Sequence, residues 1–345
     1  MKRLLNSERA ISQFLAEARV FEEVRKLAKP EGALLRPIFT PTAAFYSKYP
    51  FFILPLAMCD LKHLLQDAAN TKITTSLLTQ LPLLAEALGT LHNLGIAHRD
   101  LDARNVLVFE DDSGAITLKL ADFGHSIWLN TESRGFGESI GLGYFRSNGT
   151  YSAPECAKPP TVTYGPRDIT AIDIWALGCM FLEILAFARG GSAGVRQFQA
   201  LRHGPLSAGG ITVESDLFHD GDSLKPQIGV WLGEVFGASV FKQNTSEMSS
   251  NVHHILLEMF DRNAELRPTA QEISTALKET DLLTIFENDI AQLSSPTFAS
   301  HMISRLFSWA AKHVSKEPAL APQSERIRWK CVSVCCQSSS VIVIS

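Results

Sequence analysis

A disulfide framework is the first thing this chain lacks. Its six cysteines, at positions 59, 156, 179, 331, 335 and 336, form no C-x-x-C pair and no regular spacing, which argues against a stapled secreted scaffold and leaves reduced thiols as the expectation. Charge of one sign is lacking too. The 32 Lys and Arg set against 36 Asp and Glu leave a net charge of −4, a poor match to a nucleic-acid surface. Long apolar runs are absent: the longest, 174–188, contains Glu183 and falls short of the roughly 20 residues that span a bilayer. It reads as a buried helix, with no transmembrane segment expected. After Met1-Lys2-Arg3, the polar residues Asn6, Ser7, Glu8 and Arg9 interrupt any signal-peptide core, so a cytoplasmic protein is expected, with the nucleus as the other compartment. Glycine is scarce early, with only Gly32, Gly89 and Gly95 in the first 100 residues. That spacing excludes a G-x-G-x-x-G phosphate cradle from this stretch.

What is present is concentrated between residues 98 and 155. His98-Arg99-Asp100-Leu101-Asp102-Ala103-Arg104-Asn105 is followed by Asp122-Phe123-Gly124 and then by Ala153-Pro154-Glu155. Four fixed letters in an H-R-D-x-x-x-x-N string occur by chance in on the order of one chain in 500 of this length, before the other two motifs are required. Between Asn105 and Asp122, the apolar runs 106–109 and 116–120 flank the polar turn 110–114, a hairpin that would fold Asp122 back beside Asn105. An isolated Asp-Phe-Gly is normally no more than a turn; its place after a strand and an H-R-D loop gives it a different meaning.

In these three motifs the chain resembles the eukaryotic protein kinase family. The resemblance implies an α+β, two-lobed protein-kinase-like fold with an incomplete N-terminal β-lobe (1–56), a mostly helical C-lobe (57–285) and a C-terminal tail (286–345). It also implies ATP and Mg2+ as cofactors and a protein substrate. Phosphoryl transfer needs alignment and charge neutralisation more than covalent chemistry. By resemblance, Asp100 is the base that accepts the proton of the substrate hydroxyl, and Asn105 and Asp122 are metal ligands. His98, Arg99, Phe123 and Gly124 are structural, as is Asp173, which opens the helix Asp173-Ile174-Trp175 and reaches back to the catalytic-loop backbone. Glu155 and Arg267 are expected to form a buried ion pair.

Apolar residues at Phe14, Ala18, Phe21, Val24, Leu27 and Ala28 repeat with a helical period. This fits the mobile helix of the family's small lobe. Glu17 matches the glutamate that pairs with the ATP-anchoring lysine, with Phe21 four residues on as a spine hydrophobe and Glu22 and Glu23 as competitors. Lys2, fifteen residues before Glu17, matches that lysine, and the sequence then starts in the middle of the lysine strand without the glycine-rich loop. Leu54 and Leu56 lie in the expected hinge against adenine, and Leu107 closes on its other face. Residues 77–92 read as an amphipathic helix that Pro82 kinks or restarts, and 190–241 reads as loop-rich.

Two departures bear on activity. Asp102 stands where the serine/threonine branch carries lysine and would repel the transferred phosphate; Arg104 resembles the compensating arginine of the tyrosine branch and is assigned a catalytic role. Gly149-Thr150-Tyr151-Ser152-Ala153-Pro154-Glu155 resembles a shortened serine/threonine signature, which favours Ser/Thr acceptors. Arg99 suggests control by phosphorylation among Thr131, Ser133, Ser139 and Ser147. The segment 301–316 is amphipathic and fits docking on the large lobe or binding to a partner, whereas 331–344 is uncharged and strand-like. Two functions follow: a protein kinase needing Asp100, Asn105 and Asp122, or a catalytically impaired binding scaffold indifferent to Asp122→Asn.

Overall fold

The computed structural model describes residues 8–26, 38, 41, 43–45, 51–66, 71–129, 149–157, 165–208, 211–237 and 246–293. Lys2, Leu27, Ala28, Thr131, Ser133, Ser139, Ser147 and the segments 301–316 and 331–344 fall outside these residues. The chain opens with α1 (Glu8–Lys26), followed by the antiparallel pair β1 (Ala43–Phe45) and β2 (Phe51–Ile53). Phe14, Ala18, Phe21 and Val24 line the buried face of α1, as their helical spacing dictates. Phe14 stacks on Phe52 of β2, with ring centroids 4.3 Å apart.

A link through residues 54–58 leads to β3 (Cys59–Asp60) and the single turn α2 (Leu61–Leu64), capped by the Asp60 carboxylate. The long helix α3 (Thr71–Asn93) precedes β4 (Ile96–Ala97), β5 (Val106–Glu110), β6 (Ile116–Leu120) and β7 (Ile127–Trp128). Strands β3, β5 and β6 form one small sheet, while β4 pairs with β7. Helix α3 starts six residues earlier than its amphipathic stretch suggests and runs through Pro82. The opening turn is held by tertiary burial, Thr74 and Leu77 being almost fully enclosed, which outweighs the weak helix preference of threonine. The Pro82 carbonyl accepts a hydrogen bond from Ser274 Oγ at 2.9 Å.

Helix α4 (Pro166–Arg202) forms the centre of the large lobe. It begins before Asp173, because Gly165 and Pro166 make a favourable start and the Asp168 carboxylate accepts the Gly165 N–H at 2.9 Å. By length and composition it passes for a membrane span, but its apolar window is wholly buried inside the domain. The region after Gly190 is more ordered than a loop-rich reading allows. The chain turns at Gly191, in a left-handed conformation (φ 58°), and resumes as helix to Arg202. It then forms the hairpin β8 (Gly204–Ala208) and β9 (Ile211–Ser215) and helix α5 (Pro226–Gly237). The glycines here serve close packing: a Cβ at Gly194 would lie 2.2 Å from the Ala186 carbonyl oxygen. Gly194→Ala is therefore expected to destabilise the domain by about 1–3 kcal/mol, measurable by denaturant unfolding; an unchanged midpoint would contradict the close approach. Helices α6 (Ser246–Glu258), α7 (Ala270–Lys278) and α8 (Leu282–Leu293) complete the lobe, with α7 and α8 against α3.

Candidate active site

The catalytic loop joins β4 to β5 and hangs from α4. Asp173, almost fully buried, accepts the His98 N–H at 2.8 Å and the Arg99 N–H at 2.7 Å. His92 of α3 binds the same carboxylate through Nε2 at 3.0 Å. Burial alone would raise the Asp173 carboxyl, but the hydrogen bond and charge of His92, with His98 and the Arg99 N–H, hold it below the ordinary carboxylate value. Arg99 and Asp122 adopt left-handed backbone conformations, φ 65° and 62°. Such geometry is costly for residues with a Cβ and survives only where surrounding bonds enforce it.

The hairpin β5–β6 pairs Val106 with Leu120, and the Ala121 N–H donates to the Asn105 carbonyl at 2.9 Å. Asp122 is thereby returned to the loop that carries Asp100 and Asn105. Asn105 Nδ2 donates to the Asp100 carbonyl at 2.6 Å and more weakly to its carboxylate at 3.3 Å. This directs the amide nitrogen into the loop and leaves Oδ1 as the oxygen for a cation. Half-burial raises the Asp100 carboxyl above its ordinary value, with His125 and His98 opposing and Asp122 adding to the rise.

A column of rings supports Asp122 from the side. His98 lies 5.2 Å from Phe123, Phe123 lies 5.7 Å edge-on from Phe21, and Phe21 lies 5.1 Å edge-on from Phe52. His98 Nε2–H donates to the Ala121 carbonyl at 3.0 Å. Glu17, four residues before Phe21, is 7 % exposed, whereas Glu22 faces solvent and Glu23 pairs with Lys26. At the end of the link 54–58, the Met58 N–H donates to the Val108 carbonyl at 2.8 Å, and Asp60 lies opposite Leu107. Leu54 packs on the core, Leu56 is 47 % exposed and Leu107 is half-buried.

Below the loop, Arg267 forms a fork with Glu155, Nη1 to Oε1 at 2.6 Å and Nη2 to Oε2 at 2.9 Å, with both residues buried. Next to Glu155, burial followed by the Glu155 charge pushes the Cys156 thiol up to about 12, so it is no nucleophile at neutral pH. The charge of Asp102 does not stand alone in the loop, as its sequence position suggests. Its carboxylate accepts Arg104 Nε–H at 2.9 Å and Nη2–H at 3.0 Å, besides the Arg104 backbone N–H at 2.8 Å. Arg104 neutralises Asp102 because a three-residue 3-10 turn brings the two side chains together.

Sequence reasoning passed over His92 and a buried network on α4. Tyr151 donates to Glu183, which also accepts from Arg202 Nη1 at 3.0 Å. Thr150 Oγ donates to Asp216 at 2.8 Å, 3.7 Å from which lies Arg202 Nη2. The turn at Gly191 brings Arg202 back to Glu183, and no local spacing announces it. A cavity of about 300 Å3 lies behind the loop, lined by His92, Arg167 and Gln271 among others. Asp100, Asn105 and Asp122 are not among its lining residues.

An aspartate returned by a hairpin to an Asp–Asn loop, with a helix joined to it by edge-on rings, defines the α+β fold of a protein kinase. The chain belongs to the protein kinase domain family, which matches residues 6–277. It is 37 % identical over 102 residues to the serine/threonine-protein kinase SBK2 of Rattus norvegicus, covering 30 % of this chain and 25 % of that protein. It is 40 % identical over 109 residues to the serine/threonine-protein kinase flr-4 of Caenorhabditis elegans, covering 29 % and 18 %. To the mitochondrial serine/threonine-protein kinase PINK1 of Rattus norvegicus it is 29 % identical over 161 residues, covering 45 % and 26 %. The matched region spans about a quarter or less of each relative's length.

Proposed function

We propose that this chain is an ATP-dependent protein kinase that transfers the γ-phosphoryl group to a serine or threonine hydroxyl of a protein. The observation that carries the reading is the convergence of Asp100, Asn105 and Asp122, fixed by the β5–β6 hairpin and by the hydrogen bonds of Asp173. The three relatives named above are serine/threonine-protein kinases, which favours that hydroxyl class. The residues fit a hard cation: one carboxylate and an amide oxygen freed by Nδ2 bonding form an all-oxygen set suited to Mg2+ on a nucleotide. Asn105 and Asp122 would hold that ion, which when bound neutralises phosphate charge. Asp100 orients the acceptor hydroxyl and takes its proton, while Glu17 and Lys2 are assigned by the family resemblance to anchoring the nucleotide and Leu54, Leu56 and Leu107 to enclosing adenine.

Incubating the full chain with Mg2+-ATP and serine, threonine or tyrosine peptides tests the reading. Transfer to Ser/Thr that is lost in Asp122→Asn supports it; neither transfer nor thermal stabilisation by Mg2+-ATP would establish the scaffold reading instead. Asp102 favours that second reading, because it puts a carboxylate where a transferred phosphate would pass and binds one edge of the Arg104 guanidinium. The pH dependence has a definite sign. Transfer requires ionised Asp100, so activity falls as pH drops through a value raised above the ordinary 3.8. A pH–rate profile whose acid limb lies at or below 3.8 would remove Asp100 from the base role.

A further inference from the structure

Arg104 is held by Asp102 without being used up. A guanidinium has two edges that can grip an anion with paired N–H groups. Asp102 occupies the side-on edge, Nε and Nη2, at 2.9 and 3.0 Å. The end-on edge, Nη1 and Nη2, remains, and among the described residues no hydrogen bond to Nη1 occurs. The Arg104 side chain is 69 % exposed, whereas that of Asp102 is only 12 % exposed. An exposed arginine ordinarily samples many rotamers, and fixing it carries an entropic penalty. Here Asp102 has already fixed it, in the turn that follows Asp100.

We propose that Arg104 is a specificity-determining residue whose end-on edge receives an anionic side chain flanking the acceptor hydroxyl, so that the protein substrate is acidic around its phosphorylated residue. Asp102 is the positioning residue: it spends one edge of the guanidinium to aim the other. The anion is a carboxylate or a phosphate already on the substrate, since both present two oxygens to the fork. The inference rests on the reading of Asp100 as the site of the acceptor hydroxyl. Its strength must fall with salt, because the edge faces solvent.

Peptide binding tests it without turnover. The full chain is titrated, by fluorescence anisotropy at low ionic strength, with three peptides sharing a central serine flanked by glutamine, glutamate or phosphoserine. The wild type is expected to bind the glutamate peptide about five- to tenfold more tightly than the glutamine peptide, a ratio of the size one net hydrogen bond supplies at a solvent-facing edge. A larger ratio for phosphoserine identifies phosphate as the preferred anion; an equal or smaller one identifies carboxylate. Arg104→Gln should bring the glutamate and glutamine peptides to equal affinity. Arg104→Lys, which keeps the charge and loses the fork, should retain part of the ratio, and Asp102→Asn should lower it by loosening the aim. Equal wild-type affinities, no binding of any peptide, or a ratio that persists in Arg104→Gln would overturn the proposal. A ratio that behaves as expected in a chain that transfers no phosphate would defeat the kinase reading alone.

Discussion

Arg267→Ala is expected to lower the stability of the domain by about 3–5 kcal/mol, the usual penalty for stranding one member of a buried ion pair. The Arg267 side chain is fully enclosed and its donors are committed: two to Glu155, Nε to the Asp261 carbonyl at 2.9 Å, and a further Nη1 bond to the Ala171 carbonyl at 2.9 Å. The guanidinium also lies over Trp175, 5.0 Å from its ring centroid. Removing it leaves the Glu155 carboxylate buried without its counter-charge, empties volume beside Trp175, and releases Glu155 from the turn that precedes α7. Denaturant unfolding of the single and double variants checks this. The double variant Glu155→Gln with Arg267→Met should be less destabilised than the sum of the two single changes, because no charge is then stranded. Additive losses would mean that the two side chains are not energetically coupled.

Asp100→Asn is expected to reduce phosphoryl transfer by about 10²–10⁴-fold, the range typical of a lost general base, while leaving the protein at least as stable. The stability arm follows from the direction of the carboxyl shift. A carboxyl raised in the folded state favours folding while protonated, below its unfolded value, and that contribution is lost as pH rises through the folded value. At neutral pH the ionised group opposes folding, and the neutral amide removes the opposition. The Asn105 bond to the loop is chiefly to the Asp100 backbone carbonyl, which the substitution keeps. Activity lost together with a large drop in unfolding midpoint would show that Asp100 is a structural residue.

The parts of the fold legible in the sequence were those with local signatures. The β5–β6 hairpin is written as two apolar runs around a polar turn, and α1 as a helical apolar stripe; both elements are observed. The Glu155–Arg267 contact was reached only through the family resemblance, since 112 residues separate its partners. Three features escaped for physical reasons. Threonines at the start of α3 argue against helix locally, yet burial of Thr74 settles the matter. Gly190, Gly191 and Gly194 look like a loop, but they mark a turn and a backbone approach that only glycine fits. Asp102 read as a repulsive charge because the Arg104 rotamer that cancels it cannot be seen in a string of letters. At the site, Asp100, Asn105 and Asp122 were legible as a motif, while His92 and Arg202, which act through contacts 81 and 19 residues away, were not.

The suspension of the catalytic loop from Asp173 also sets a timetable. During synthesis the loop leaves the ribosome before its support does, because the carboxylate that holds the His98 amide lies 75 residues downstream. Closing so long a loop must await α4, and locking Glu155 must await Arg267, a further 112 residues on from that glutamate. Until then the Arg99 N–H is without the Asp173 carboxylate that accepts it in the folded domain. A nascent chain is thus without the full support of this loop until α4 and the Arg267 turn have emerged.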